Sequence, residues 1–217
     1  MKYENKFIQI SCDGGAATGK STGAKMISKK YKLKYLSSGL LYRYASYVLL
    51  RNNPKNEVSF LRKKFKKLNY KNLSKIDLHN PKISENSSKL AKKKLIREIL
   101  KKYQIDFSKK YPRCCIEGRD ISTKILPNSD VKFFFKCSLH IAAKRRYNEF
   151  RKKKIKINFK EVKKSLRIRN ISDIKRKHSP LLKHRNSIVI DTGKLSKSSM
   201  LTKMSWHLEK FLKLNER

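Results

Sequence analysis

Eight residues near the N-terminus constrain this chain more than any other feature of its sequence. The segment from Gly14 to Ser21 is Gly-Gly-Ala-Ala-Thr-Gly-Lys-Ser, which matches the pattern G-x-x-x-x-G-K-[ST]. A strand-like apolar run at residues 7–10 precedes it, and a helical pattern from about Lys20 to Tyr31 follows it. A strand, this loop and a helix in that order are typical of the phosphate-binding loop of α/β nucleotide-binding domains.

The loop predicts a nucleoside triphosphate site. Glycines let the backbone curl so that its N–H groups turn toward phosphate oxygens. Lys20 then reaches the β and γ phosphates, and Ser21 offers its hydroxyl to a metal, Mg²⁺. We expect the nucleotide to be held by one contiguous set of residues, namely Gly14, Gly15, Ala16, Ala17, Thr18, Gly19, Lys20, Ser21 and Thr22.

Strand-like runs alternate with helical patterns along the chain, beginning near residues 7, 33, 113, 131 and 187. This alternation predicts an α/β fold, a parallel five-stranded sheet with helices on both faces. We expect a single domain over residues 1–217 that contains an inserted helical subdomain at residues 53–110 and a lid at residues 152–179. A helix in the lid is expected to end near Arg169, which leaves residues 170–180 as a polar, mobile segment.

Ligands of a parallel sheet bind beyond the carboxyl ends of its strands, so the residues that follow each strand are candidates for a site. Besides the loop, these are Ser37 to Gly39, Glu117 to Asp120, and Asp191 with Thr192. Arg43 and Arg119 would form a clamp for an acceptor phosphate near Lys20. Taken alone, either arginine could equally be an ordinary surface residue.

The formal net charge is +41, with 57 basic against 16 acidic side chains. A phosphate-binding loop in so basic a chain is also typical of a nucleic-acid-stimulated ATPase. Lysines occur in nearly every segment, however, which indicates solvated faces more than one binding stripe. A strand of four apolar residues ending in Asp-Glu, which would favour such an ATPase, is not found.

The cysteines and the apolar runs also indicate the cellular compartment of the protein. The four cysteines lie within or at the ends of apolar runs without C-x-x-C spacing, so we expect small core residues in a reducing environment: Cys12, Cys114, Cys115 and Cys137. The first residues are too mixed for a signal peptide, and no apolar run approaches the ~20 residues that span a bilayer. We expect a cytoplasmic protein that does not contact membranes.

Five motifs, in order over nearly the whole chain, resemble those of the bacterial cytidylate kinases. The segment from Asp13 to Thr22 is similar to D-G-P-x-x-x-G-K-[SG]-T, and Ser38 to Arg43 is similar to [ST]-G-x-x-Y-R. The segment from Ile96 to Leu100 resembles V-R-x-x-L, and Gly118 to Asp120 matches G-R-D. Arg169 to Leu181 fits R-x-x-x-D-x-x-R-x-x-x-P-L.

The resemblance implies a role for each matching residue. Three arginines would bind the phosphate of CMP, namely Arg43, Arg119 and Arg176. Three side chains would surround its sugar, namely Ser38, Arg169 and Asp173, and three would contact cytosine, namely Ser88, Arg97 and Asp120. Catalysis would depend on Lys20, Arg119 and Arg176.

The chemistry of cytosine agrees with this assignment. Its exocyclic amine is a donor that the Asp120 carboxylate can accept, and N3 and O2 are acceptors for Arg97. Uracil reverses the hydrogen-bonding character of two of these groups, because it has an acceptor oxygen in place of the amine and a donor at N3. The chain departs from the family at Ser172 and Ile174, where arginines are common, and at Gly15, where the family has proline.

We therefore expect ATP-dependent conversion of CMP or dCMP into the diphosphate, with ATP and Mg²⁺ as the cofactor. The protein should act as a monomer without a specific nucleic-acid partner. Two alternatives stay open: a kinase for another small acceptor such as AMP, UMP or shikimate, and a nucleic-acid-stimulated ATPase.

Overall fold

A parallel five-stranded sheet organises the protein, for which a computed structural model describes residues 6–214. The strands are β1 (Ile8–Gly14), β2 (Lys34–Ser37), β3 (Arg113–Gly118), β4 (Val131–Lys136) and β5 (Ile188–Asp191). Their order across the sheet is β2-β3-β1-β4-β5. The phosphate-binding loop therefore follows the central strand, with β3 and β4 as its parallel neighbours. The predicted α/β architecture is confirmed.

Eight α-helices connect and cover these strands within the described residues. They are α1 (Lys20–Lys30), α2 (Ser38–Asn52), α3 (Glu57–Lys66), α4 (Pro81–Leu90), α5 (Lys94–Lys110), α6 (Leu139–Lys152), α7 (Phe159–Lys175) and α8 (Lys197–Leu214). A 3₁₀-helix spans Tyr70–Lys75, and a short π-helix spans Ile121–Ile125. In the part of the chain that the structure describes, none of the helices has the length and hydropathy to cross a bilayer.

The described chain forms two compact units. The first contains the residues up to Tyr35 and from Pro112 onward, and the second spans Leu36–Tyr111. The second unit begins before the predicted insert because α2 packs against α4 and α5. A substrate-binding role for residues 53–110 and a lid role for residues 152–179 remain predictions.

The core of the first unit lies between the sheet and helices α1 and α8. Phe133 and Phe135 of β4 are fully buried. An apolar stripe of α8 packs there, with Met204 and Leu208 fully buried, and Ser196 accepts a hydrogen bond from the Ser199 amide (3.1 Å) at the start of the helix. Three cysteines are buried as predicted, namely Cys12, Cys114 and Cys115, and Cys137 is partly buried.

The second unit is built from helices α2 to α5, and side-chain caps fix the starts of the first three. The Asn80-Pro81 pair marks the beginning of α4, where the Asn80 carboxamide accepts a hydrogen bond from the Ile83 amide at 2.8 Å. Proline suits the next position because no helical acceptor is available for an N–H there. Inside the unit, the Phe65 ring meets those of Tyr44 and Tyr103 edge-on at 5.7 Å between centroids.

One expectation about the first unit is wrong. Helix α7 does not end near Arg169 but continues to Lys175, so residues 170–175 are helical instead of a mobile segment. The cause is tertiary: Asp173 accepts a hydrogen bond from Arg119 at 2.8 Å, and this contact holds a polar stretch in helical form.

Candidate active site

The loop between β1 and α1 has a backbone suited to an anion. Gly14 lies so close to β4 that a Cβ there would overlap the Phe135 carbonyl. Gly19, the N-cap of α1, has φ +81°, in the left-handed region that favours glycine. The first turn of α1 contains no acidic residue, and no side chain caps it. Its N–H groups and the positive end of its dipole are thus directed at whatever binds in the loop.

Lys20 and Glu117 form a buried ion pair at the base of the loop. The Ser21 hydroxyl donates to Oε1 of Glu117 at 3.0 Å, and the Tyr35 hydroxyl donates to the same oxygen at 3.3 Å. Burial lowers the pKa of Lys20 and the positive charge of Arg119 lowers it further, whereas the negative charge of Asp13 partly opposes this shift. This arrangement places an ammonium and a hydroxyl at the mouth of a phosphate-binding loop.

Glu117 was predicted only as one of the strand-end residues, and no role was assigned to it. The signal for it was present, because Glu117 directly follows the buried run of β3, and β3 lies beside β1. Glu117 is a single carboxylate in that position and not part of the Asp-Glu pair that would favour a nucleic-acid-stimulated ATPase.

The oxygen atoms of Ser21 and Glu117 fit a hard divalent cation such as Mg²⁺, which binds hydroxyl and carboxylate oxygens. The described residues contain no group of three or more His, Cys, Asp or Glu side chains that could hold a metal by themselves. A cation at Ser21 and Glu117 would therefore need further oxygen ligands from phosphate and water. That requirement is typical of Mg²⁺ at nucleotide sites and not of a structural metal.

Four predicted substrate residues come together in the first unit. Arg119 donates through Nε to Asp173 at 2.8 Å, and Arg176 lies 3.5 Å from Asp173 and 3.7 Å from Asp120. Burial alone would raise the pKa of Asp173, but the guanidinium groups of Arg119, Arg169 and Arg176 together hold it below its ordinary value. The result is a cluster of oriented arginines able to bind a phosphate through paired N–H groups.

Asp13 fixes the segment that carries two of these residues. Its Oδ1 accepts from the Ile121 amide at 2.8 Å, and its Oδ2 accepts from the Ser122 amide at 2.7 Å and the Ser122 hydroxyl at 2.6 Å. Burial raises the pKa of this carboxyl group. Because Ile121 and Ser122 directly follow Arg119 and Asp120, Asp13 connects the phosphate-binding loop to the arginine cluster. The sequence showed Asp13 only as one letter of the loop motif.

Thr192 and Arg145 support the other side of the loop. The Thr192 hydroxyl donates to the Thr18 carbonyl at 2.7 Å. Arg145 of α6 donates to the Thr192 hydroxyl at 2.8 Å and to its carbonyl at 2.7 Å. Thr192 was expected among the strand-end residues, whereas Arg145 follows no strand and matches none of the motifs considered, so sequence analysis missed it.

The second unit places Arg97 in a largely buried position, with 7% of the residue exposed. Its guanidinium donates to the Ala91 carbonyl at 3.1 Å and lies 5.7 Å from the centre of the Tyr42 ring. Ser38 is also buried, at the first turn of α2. A buried guanidinium beside an aromatic ring can recognise a planar group with hydrogen-bond acceptors.

The other two predicted residues of the second unit make local contacts. Arg43 donates to Nδ1 of His79 at 2.7 Å, and the Ser88 hydroxyl donates to the Ser84 carbonyl at 3.2 Å within α4. Nothing in these contacts assigns a ligand to Ser88.

Solved structures share the fold of this chain. A crystal structure of an uncharacterized protein from Eubacterium ventriosum has a TM-score of 0.56 at 17% identity and covers 94% of this chain and 99% of its own. The structure of TT1252 from Thermus thermophilus has a TM-score of 0.54 at 15% identity, covering 94% and 96%. At such low identity these matches show the fold alone.

Sequence comparisons identify the family. The family model described as Cytidylate kinase matches residues 10–210. The Cytidylate kinase of Bartonella tribocorum is 38% identical over 86% of this chain and 87% of the relative. The Cytidylate kinase of Fusobacterium nucleatum is 36% identical over 94% of this chain and 98% of the relative. The Cytidylate kinase of Clostridium botulinum is 34% identical, also over 94% of this chain and 98% of the relative. With the fold, the loop and the arginine cluster in place, the chain belongs to the cytidylate kinase family.

Proposed function

We propose that ATP with Mg²⁺ is the phosphoryl donor of this kinase, which phosphorylates CMP and dCMP to the diphosphates. The observation that carries the proposal is the contact of Lys20 and Ser21 with Glu117 at the base of the loop. An ammonium, a hydroxyl and a carboxylate in that position provide charge neutralisation and metal ligation for a triphosphate. The arginine cluster of the same unit supports an anionic acceptor.

The reaction needs little covalent help from the protein. The bond between the γ-phosphorus and its bridging oxygen breaks as an oxygen of the CMP phosphate forms the new bond. This acceptor oxygen is already ionised, so no general base is required. Lys20 and the arginines stabilise the negative charge and hold the two reactants in line, which is where catalysis of phosphoryl transfer arises. Mg²⁺, when bound at Ser21 and Glu117, neutralises charge on the β and γ phosphates.

A coupled assay with ATP and a panel of monophosphates tests the assignment directly. We expect CMP and dCMP to be phosphorylated with much higher kcat/KM than UMP or AMP. A preference for UMP, AMP or shikimate would replace the proposed acceptor while leaving the donor site unchanged. Omission of Mg²⁺ should stop turnover with every acceptor.

Base selection is expected to depend on Asp120 in the first unit and Arg97 in the second, which the family resemblance assigns to cytosine. Asp120→Ala or Arg97→Ala should raise KM for CMP and reduce the difference in kcat/KM between CMP and UMP. Each lost charge-assisted hydrogen bond costs on the order of 1.5–3 kcal/mol, or roughly tenfold to a hundredfold in kcat/KM. Steady-state kinetics with CMP and UMP measure both effects.

Arg119→Ala is the matched control for this prediction. Because a phosphate contact carries no base information, this variant should weaken CMP and UMP alike. Asp120 is also paired with Arg176, so part of its effect should be shared by both nucleotides. If Asp120→Ala and Arg97→Ala both keep the original preference for CMP, the base is recognised elsewhere.

The basic surface is expected to bind nucleic acid only weakly and without sequence preference. Counterion release makes such binding fall steeply with salt. ATP turnover measured without a monophosphate, at near-physiological salt, should be the same with and without single-stranded DNA or RNA. A large stimulation by either polymer would instead support the nucleic-acid-stimulated ATPase.

Two further parts of the proposal concern the state of the protein. We infer a cytoplasmic enzyme that works as a monomer. Light scattering during size-exclusion chromatography would measure the mass against the 25.6 kDa of the chain.

A further inference from the structure

Helix α7 contacts the phosphate-binding loop through one polar side chain. Oδ1 of Asn170 accepts a hydrogen bond from the Ala16 amide at 3.1 Å. The same oxygen lies over Gly15, where an added Cβ would come within 3.3 Å of it. Beside this contact, Ala16 packs in one apolar cluster with Val162 and Leu166 of α7. The helix is therefore seated on the loop itself.

The orientation of the Asn170 carboxamide follows from its partner. The Ala16 amide can only donate, so the oxygen of the carboxamide must face it, because the reverse orientation would oppose two donors. The Nδ2 group shares a carbon with that oxygen and so lies at the loop as well. Within the described residues Nδ2 has no hydrogen-bond partner. A neutral N–H₂ donor is thus held at a loop whose backbone is suited to phosphate.

We propose that Asn170 is a further phosphate-contacting residue: its oxygen is anchored on the Ala16 amide and its Nδ2 group donates to a phosphate oxygen of the bound triphosphate. The inference rests on the proposed function for the identity of that ligand. It also answers a question raised by the sequence, since Ser172 and Ile174 stand where arginines are common in the family. Asn170 supplies a neutral donor on the same helix.

Asparagine is the side chain that suits both tasks. Aspartate would keep the acceptor for Ala16 but would present a negative charge to the triphosphate. Alanine would remove both acceptor and donor. The two substitutions therefore separate the anchoring of α7 from the contact with phosphate. Ser172→Ala is a matched control, because two residues correspond to about 200° around the helix and Ser172 is on the opposite side from Asn170.

The experiment measures the dissociation constant of a non-hydrolysable ATP analogue with Mg²⁺, in the absence of CMP, by calorimetry. We expect Asn170→Asp to weaken binding about tenfold or more, because a carboxylate beside phosphate is repelled. Asn170→Ala should weaken binding less, and Ser172→Ala should match the wild-type protein. The thermal unfolding midpoint of Asn170→Asp should stay near that of the wild-type protein, because the anchor is kept.

Three results would overturn the inference. The first is binding by Asn170→Asp within about twofold of wild type. The second is a loss in Asn170→Ala without a loss in Asn170→Asp, which would make the anchor the whole role of the residue. The third is an equal loss in Ser172→Ala. If the wild-type protein itself fails to bind the analogue, the proposed donor is wrong, and that outcome is distinct from the other three.

Discussion

Replacing Lys20 with alanine is expected to abolish phosphoryl transfer. The ammonium neutralises charge that builds on the transferred group, and loss of one such preorganised group lowers kcat by about a hundredfold to a thousandfold. The substitution also leaves Glu117 as a buried carboxylate without its lysine, which destabilises a fold strongly, by roughly 3–5 kcal/mol. Activity and stability should therefore fall together in the single variant.

A double variant separates these two effects. In Lys20→Ala with Glu117→Gln the buried charge is removed as well, so stability should recover toward that of the wild-type protein while turnover stays lost. The coupled assay and thermal unfolding provide the two measurements. Near wild-type turnover in either variant would contradict the assignment of the loop.

Replacing Asp13 with asparagine is expected to destabilise the first unit by about 2–4 kcal/mol. The carboxylate accepts three hydrogen bonds from buried donors, and an isosteric amide offers one oxygen and opposes an N–H₂ group to the other donors. Burial raises the pKa of Asp13, so removing the charge relieves a desolvation cost, and we expect this relief to offset part of the loss. Urea denaturation measures the change in the free energy of unfolding.

Ser11→Ala is the matched control, because Ser11 lies in the same strand and makes one buried hydrogen bond, from the Ser129 hydroxyl at 2.8 Å. Its loss should be near 1 kcal/mol. Asp13→Asn should in addition lower turnover, since the segment with Arg119 and Asp120 is no longer held. An unchanged denaturation midpoint for Asp13→Asn would show that the segment is positioned by other contacts.

Local signals made much of this fold predictable from the sequence. The strand, loop and helix around Lys20 could be predicted because glycine conformation and apolar periodicity act within a few residues. The cap at Asn80 and the apolar stripe of α8 are equally local. For the same reason the family motifs pointed to residues that the structure gathers in the first unit, such as Arg119, Asp173 and Arg176.

Contacts between distant parts of the chain were not predictable in this way. Helix α7 extends past Arg169 because Asp173 meets an arginine 54 residues earlier in the sequence. Asp13 acts on residues more than 100 positions away, and Arg145 supports the loop through Thr192. No periodicity or motif contains such pairings, so helix length and the supporting side chains required the structure.

The buried carboxylates of the site allow a strongly basic protein to select among the anions that its surface attracts. Acidic side chains are scarce in this chain, yet Asp13, Glu117 and Asp120 are all buried in the first unit around the loop and the arginine cluster. The outer lysines attract anions of any shape, and salt screens that attraction. The inner carboxylates repel an anion that does not fit between their arginine and lysine partners. The attraction of anions and the selection among them thus depend on different parts of the protein. Salt weakens the attraction by the outer lysines and leaves the selection by the buried groups largely intact.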